Sequence, residues 1–370
     1  MWLNNVLSKR KHRMPEIIGK FSAVTSSVPP LDAHIGYLRH LTNNRIAKEI
    51  LRERHGMNAV DATKTSKLWA AHIGQALNFH RESRAAPVTI RPVLQYYCFL
   101  NLSVAAILAY RPLNHTQYRQ HGVEDKTHAL RALDLSSTVL QVKRGAVPLF
   151  HSIISDVPLY GKRFRFGQLA AGFHMFHHEL QTRFGKIQQH YYVTDEVRND
   201  CGVWSSVFSF SQPGDDARDP APPKRLEAAM PLLLSDYTRR FTDDSTEYKS
   251  TASWSAEGTA RKHHQANGIK LVNYGAHYVH CSYTGVAHTV YAWRGVSRTA
   301  LLPTLSATLL LSFSLASVVR YRPMLLDTSM KSPVALLLET FIAEVDAVFV
   351  PALRNMLYRE ELAISAPNFV

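Results

Sequence analysis

The run Arg91-Pro92-Val93-Leu94-Gln95-Tyr96-Tyr97-Cys98-Phe99-Leu100-Asn101-Leu102-Ser103-Val104-Ala105-Ala106-Ile107-Leu108-Ala109-Tyr110-Arg111-Pro112 carries apolar side chains almost all the way round a helical wheel. A helix without a polar face has to be enclosed, so this one is expected at the centre of a core. The helix is expected from Pro92 to about Tyr110, and Arg111-Pro112 closes the run. Its neighbours can be read on both sides. His34 to His55 has Ile35, Leu38, Leu41, Ile46, Ile50 and Leu51 at helical spacing and stops at Gly56. A further helix beyond Asp61 runs through Leu68, Trp69, Ile73 and Leu77. At the other end, two long helices are expected near Thr299 to Tyr321 and Pro333 to Tyr358, the second amphipathic at every turn and bent at Pro351.

Between these, Asn114 to Leu133 is polar without an apolar period and reads as a loop. Thr138 to Lys143 alternates as a strand does, Phe166 to Phe184 returns to helical spacing, and Ile187 to Val193 and Val203 to Phe210 read as strands. Gln212 to Pro223 holds four prolines and three aspartates, the composition of an exposed linker. A helix over Lys224 to Phe241, a polar stretch to Asn267, and strands at Ile269 to Tyr274 and Tyr278 to Tyr283 follow. The expected fold is therefore mainly α with minor β, an α+β chain. Its parts are a basic, flexible segment over 1–33, a helical half with short strands over 34–211, the linker over 212–223, and a C-terminal half over 224–370.

Arg91 to Pro112 and Leu302 to Pro323 align without a gap, each with an early proline and a closing Tyr-Arg-Pro. Duplication explains this, and so do two helices that share a stop signal. Arg111 and Arg322 each follow an apolar helix, where a cation meets the negative end of the dipole and can bond the last carbonyls. Ala300 to Val319 is uncharged and long enough to span a bilayer, but its six Ser or Thr and its proline favour a buried core helix.

With 370 residues, 46% of them apolar, the chain can bury a large core. The net charge of +14 draws it towards polyanions such as RNA, DNA or anionic lipid. Cys98, Cys201 and Cys281 show no CxxC spacing, which suggests neither a disulfide framework nor a zinc cluster and fits a reducing cytoplasm. The basic cluster Lys9, Arg10, Lys11 and Arg13 follows its apolar stretch instead of preceding it, so no export signal is read.

Ile90-Arg91-Pro92-Val93-Leu94-Gln95-Tyr96-Tyr97, the helix after it, and His121-Gly122-Val123 resemble the N-terminal half of the YaaC-like bacterial proteins. Ser314-Leu315-Ala316 to Arg320-Tyr321-Arg322-Pro323, and the helix that reaches Phe349-Val350-Pro351, resemble that family's closing helices. The resemblance implies a bacterial cytosolic protein and raises an association with phage defence; it implies no activity. A fainter likeness links Tyr96-Tyr97 to Leu108 with the HEPN domains, many of them ribonucleases marked by an Arg and a nearby His on one helix. The nearest pairs here, Arg144 with His151 and Arg183 with His190, are interrupted by Pro148 and Gly185, so the chain departs from that mark.

Three constellations could carry chemistry. His174 and His178 are four residues apart, as two metal ligands on one helix would be, but no third ligand is identifiable and a packed histidine cluster explains them as well. Asp244, Glu247 and Lys249 contain the ExK element of metal-dependent nucleases, at a shorter Asp-to-Glu spacing than usual. Arg111, Arg119, Lys143, Arg144, Lys162, Arg163 and Arg165 gather in the central third with Tyr118, Tyr160, Phe164 and Phe166 among them. That composition suits phosphate contacts and base stacking, although loop charges are ordinarily just solvated and the Phe residues can face a core. The leading expectation is a nucleic-acid-associated protein whose partner is RNA or DNA and not a membrane. A metal-dependent or HEPN-like nuclease and a non-enzymatic subunit with a protein partner or a second copy of itself are the alternatives. Neither a cofactor nor an enzymatic role can be read.

Overall fold

The computed structural model of the chain describes residues 19–111, 115–127, 133–134, 137–155, 158–170, 176, 190–211, 227, 235–241, 246–273, 277–281, 288–294 and 302–365. Its first elements are β1 (Lys20–Thr25), α1 (Pro30–His40), α2 (Asn44–Glu53), α3 (Ala59–Ala85) and α4 (Arg91–Tyr110). Then come α5 (His115–Tyr118), β2 (Val123–Asp125), β3 (Val139–Val142), α6 (Ala146–Ile154), β4 (Arg163–Arg165) and α7 (Phe166–Ala170). Next are β5 (His190–Asp200), β6 (Val203–Ser211), β7 (Tyr237–Phe241), β8 (Thr246–Ser250), α8 (Glu257–Asn273), β9 (His277–Cys281) and β10 (His288–Arg294). The chain closes on α9 (Thr304–Tyr321), α10 (Pro323–Ser329), α11 (Ala335–Tyr358) and β11 (Glu360–Ser365).

The apolar helix α4 is central, as its pattern requires, and one hydrophobic core joins it to α3, α6, α9 and α11. Polar atoms fix how the helices meet. Trp69 Nε1 of α3 donates to the Ala105 carbonyl at 2.9 Å, Gln95 Nε2 of α4 to Ile342 O of α11 at 2.8 Å, and Tyr110 OH to Met356 O at 3.0 Å. Leu309, Leu310, Leu311 and Leu315 of α9 are fully buried, each worth about 1.5–3 kcal/mol in apolar surface removed from water. By length and composition α4 could also cross a membrane; here most of it is enclosed by the other helices.

Some N-terminal expectations need correction. The helix over His34 to His55 is two helices, because after Leu41 the chain turns and Asn43 Oδ1 caps a new start by accepting from the Arg45 and Ile46 N–H groups at 2.9 and 3.4 Å. Within the lead-in expected to be flexible over 1–33, β1 pairs in parallel with β11 and α1 begins at Pro30. Glu360 ties this ribbon down: it accepts from Ser22 Oγ at 2.5 Å and Arg54 Nη1 at 3.0 Å. Behind it, the Arg354 guanidinium carbon lies 4.7 Å from the ring centre of Tyr37 and 4.4 Å from that of Tyr358, two rings set edge to face.

The antiparallel sheets are one of three strands, ordered β2-β3-β4, and one of six, ordered β7-β8-β6-β5-β10-β9. The larger sheet takes strands from both sides of 212–223, a segment outside the described residues. The expected helix over Lys224 to Phe241 ends instead in strand β7, the polar stretch to Asn267 holds β8 and most of α8, and the expected strand from Ile269 lies in α8 as far as Asn273. The expected loop over Asn114 to Leu133 contains α5 and β2, and β10 is a strand beyond those expected. The reason is visible in how α8 is attached. His264 Nδ1 is 2.8 Å from Ser206 Oγ, and Asn267 Nδ2 donates to Tyr237 OH at 2.7 Å; these polar side chains of the described part anchor the helix, and they leave no apolar period for the sequence to show. Of the helix expected over Phe166 to Phe184, α7 is described and the rest, apart from Phe176, lies outside the described residues.

Candidate functional site

The turns at one end of the three-stranded sheet are stitched together through backbone. The Lys143 N–H donates to Gly122 O at 2.8 Å, Ala146 N–H to Gln120 O at 2.8 Å, Val147 N–H to His121 O at 3.0 Å, and Val142 N–H to Lys162 O at 2.9 Å. Two glycines permit this. Gly145 has φ +150° and Gly122 φ +80°, and a Cβ on Gly145 would lie 2.4 Å from Gln120 O and 2.5 Å from Gly122 N, so their backbones touch where no side chain fits. Because the Ala146 and Val147 N–H groups are spent on Gln120 and His121, the start of α6 is no open phosphate cradle. The locked turns instead display side chains: Arg119, Lys143, Arg144 and Lys162 are all exposed there.

Tyr160 shares this end. Leu159 O accepts from the Lys162 N–H at 3.2 Å, and φ +80° at Gly161 is what the third position of a type II turn needs. Tyr160 occupies the second position, 58% exposed, with the Arg144 guanidinium carbon 5.8 Å from its ring centre.

Register lays out the adjoining sheet face. Gln141 pairs with Glu124 on one side and Arg163 on the other, and Val139 pairs with Arg165 while its carbonyl accepts from the Lys126 N–H. Glu124-Gln141-Arg163 and Lys126-Val139-Arg165 are thus two cross-strand rows on one face, since side chains alternate along a strand. Leu140 and Val142, pointing the other way, are buried in the core. Glu124 is the one carboxylate of these rows; hydrogen bonds from Lys126 and Lys143 hold its pKa below the usual range.

Six of the seven cations singled out in the sequence, Arg119, Lys143, Arg144, Lys162, Arg163 and Arg165, therefore share one end and one face of this small sheet. Arg111 does not. It caps α4 with its N–H on Ile107 O, and its guanidinium donates to Ser152 Oγ and Ser152 O of α6, both at 3.0 Å. Arg322 behaves alike at the end of α9, its N–H on Val318 O and its guanidinium donating to Thr127 O at 3.2 Å, so each side chain clamps a neighbouring segment while only the backbone N–H meets its own helix. Of the aromatics, Tyr118 and Phe166 are buried and Phe164 packs on the core, which leaves Tyr160 presented. Lys126 and Glu124 were missed because their segment read as loop; the alternation Val123-Glu124-Asp125-Lys126 is too short a signal to find them.

The other constellations are not assembled. Asp244 lies outside the described residues, as do His174, His178 and Arg183. Glu247 accepts from Arg198 Nη2 at 3.0 Å, and Lys249 is bonded to Asp200; both partners of the ExK element are committed to ion pairs. His151 is buried with Nδ1 2.8 Å from Ser306 Oγ, whereas Arg144 is exposed beside Tyr160. No group of three or more metal-capable side chains occurs among the described residues.

A family model described as YaaC-like Protein matches residues 39–356. The chain belongs to the YaaC-like family. The matched region of this YaaC-like chain includes α4, the three-stranded sheet and α9, and leaves out β1 and β11. Comparison with curated proteins and with solved structures finds no match.

Proposed function

We propose that the protein binds RNA or DNA through the outer face of the β2-β3-β4 sheet and the turns at its end, gripping phosphates with little regard to sequence. The observation that carries the reading is the gathering of Arg119, Lys143, Arg144, Lys162, Arg163 and Arg165 around two rows whose one acid is Glu124. Guanidinium and ammonium groups at a solvated face attract a phosphate chain and release its counterions. The excess of +14 adds long-range attraction.

Titrating a labelled oligonucleotide with the full chain at several salt concentrations tests the reading. With four or more cations engaged, log K should fall with log salt at a slope of about 3 or steeper on a single strand. Absence of binding at low salt contradicts it and leaves the charge as a solubility feature.

A further inference from the structure

Resting on the reading of this face as a phosphate binder, we infer that the form of nucleic acid it accepts is single-stranded, with one base stacked on Tyr160. Three observations lead there. First, the face is narrow: three strands span roughly 10 Å, less than the width of a duplex. Second, its cations lie along a strand. Arg163 and Arg165 point the same way on β4, so their charges repeat about every 6.6 Å, a step that neighbouring phosphates of one extended chain can follow. Third, the row ends at an exposed ring. Lys162 is the next residue along, and the turn before it presents Tyr160, 58% exposed, with Arg144 beside the ring.

A duplex uses only part of this. It can set one backbone against Arg163 and Arg165, but its bases are stacked on one another and offer Tyr160 nothing. A single strand brings both its phosphates and the flat face of a base. Because every base has such a face, the preference is for strandedness and not for sequence. DNA and RNA single strands share this chemistry, and the 2′-hydroxyl is not required by it.

The full chain is titrated at one salt concentration with a labelled oligodeoxynucleotide, with the same strand annealed to its complement, and with the RNA of that sequence. The single strands are expected to bind about tenfold or more tighter than the duplex. Tyr160→Ala should weaken single-strand binding about tenfold, move duplex binding by less than about twofold, and leave the salt slope unaltered. Tyr160→Phe should keep the preference. Tyr160→Leu, which fills the same space without a ring, serves if the Ala variant melts early. A duplex bound as tightly as the single strand, or a Tyr160→Ala and Tyr160→Leu pair that lose nothing, overturns the inference and leaves phosphate binding standing. Failure of every oligonucleotide to bind overturns both.

Discussion

In the six-stranded sheet, Arg198 lies against Glu196 and Glu247, and Lys249 reaches Asp200. In the three-stranded sheet, the two rows that hold Arg163 and Arg165 contain one acid, Glu124, and that carboxylate is taken up by Lys126 and Lys143. Among the described residues, the charges of the larger sheet cancel one another and those on the outer face of the smaller sheet do not. Cross-strand register decides this. Glu247 and Arg198 are far apart in sequence and meet because β6 lies between β5 and β8, whereas no acid of another strand is paired with Arg163 or Arg165. A tally of cations along the chain therefore says little about where a polyanion would be held.

The difference can be broken most severely at the glycine crossover. Gly145→Ala forces a Cβ against Gln120 O and Gly122 N and puts a side chain at φ +150°, so unfolding in denaturant should show a loss of about 3 kcal/mol or more. An unchanged midpoint would mean that the turns carrying Lys143 and Arg144 are not locked as described. A smaller loss is expected of Arg111→Ala, which takes two guanidinium hydrogen bonds from Ser152 while its hydroxyl keeps Leu149 O: about 1–2 kcal/mol, seen as a lower Tm, with the salt slope of oligonucleotide binding unaltered. If the slope flattens, Arg111 belongs to the face after all.

The smallest effect lies in the compensated sheet. Glu247→Gln should cost on the order of 1 kcal/mol at neutral pH, discounted because Arg198 is partly solvated. Hydrogen bonding from Arg198 holds the Glu247 pKa below its ordinary 4.5. The ion pair therefore stabilises fully above that value and is lost as pH falls through the lower folded one. Melting curves of the parent and the variant should converge as the pH is lowered below about 4.5; a gap that persists in acid would show that the charge is not what Glu247 contributes.

Much of the helical body was legible in the chain. Val93 to Leu108 leaves no polar side, and Leu337, Leu338, Phe341, Ile342 and Val345 recur at helical spacing, so α4 and α11 declare themselves. The larger sheet was not. Ile269, Leu271 and Val272 form a short apolar run that suits a strand as well as a helix, and α8 holds the sheet by His264 and Asn267. The seven cations were visible as a set, but the removal of Arg111 by Ser152 depends on α6 packing beside the end of α4, which no local pattern encodes. The pairing of Gly122 with Gly145 is equally non-local.

On the proposed reading, the uncompensated face carries the binding. The salt dependence of oligonucleotide affinity, measured for the parent chain and for the triple variant Lys162→Ala, Arg163→Ala, Arg165→Ala, tests it most directly. Loss of three phosphate contacts should flatten the slope on a single strand by about two units, while Arg198→Ala with Lys249→Ala on the other sheet should leave it as it was. A triple variant with the parent's slope, or a flattening as large from the Arg198 and Lys249 pair, would contradict it.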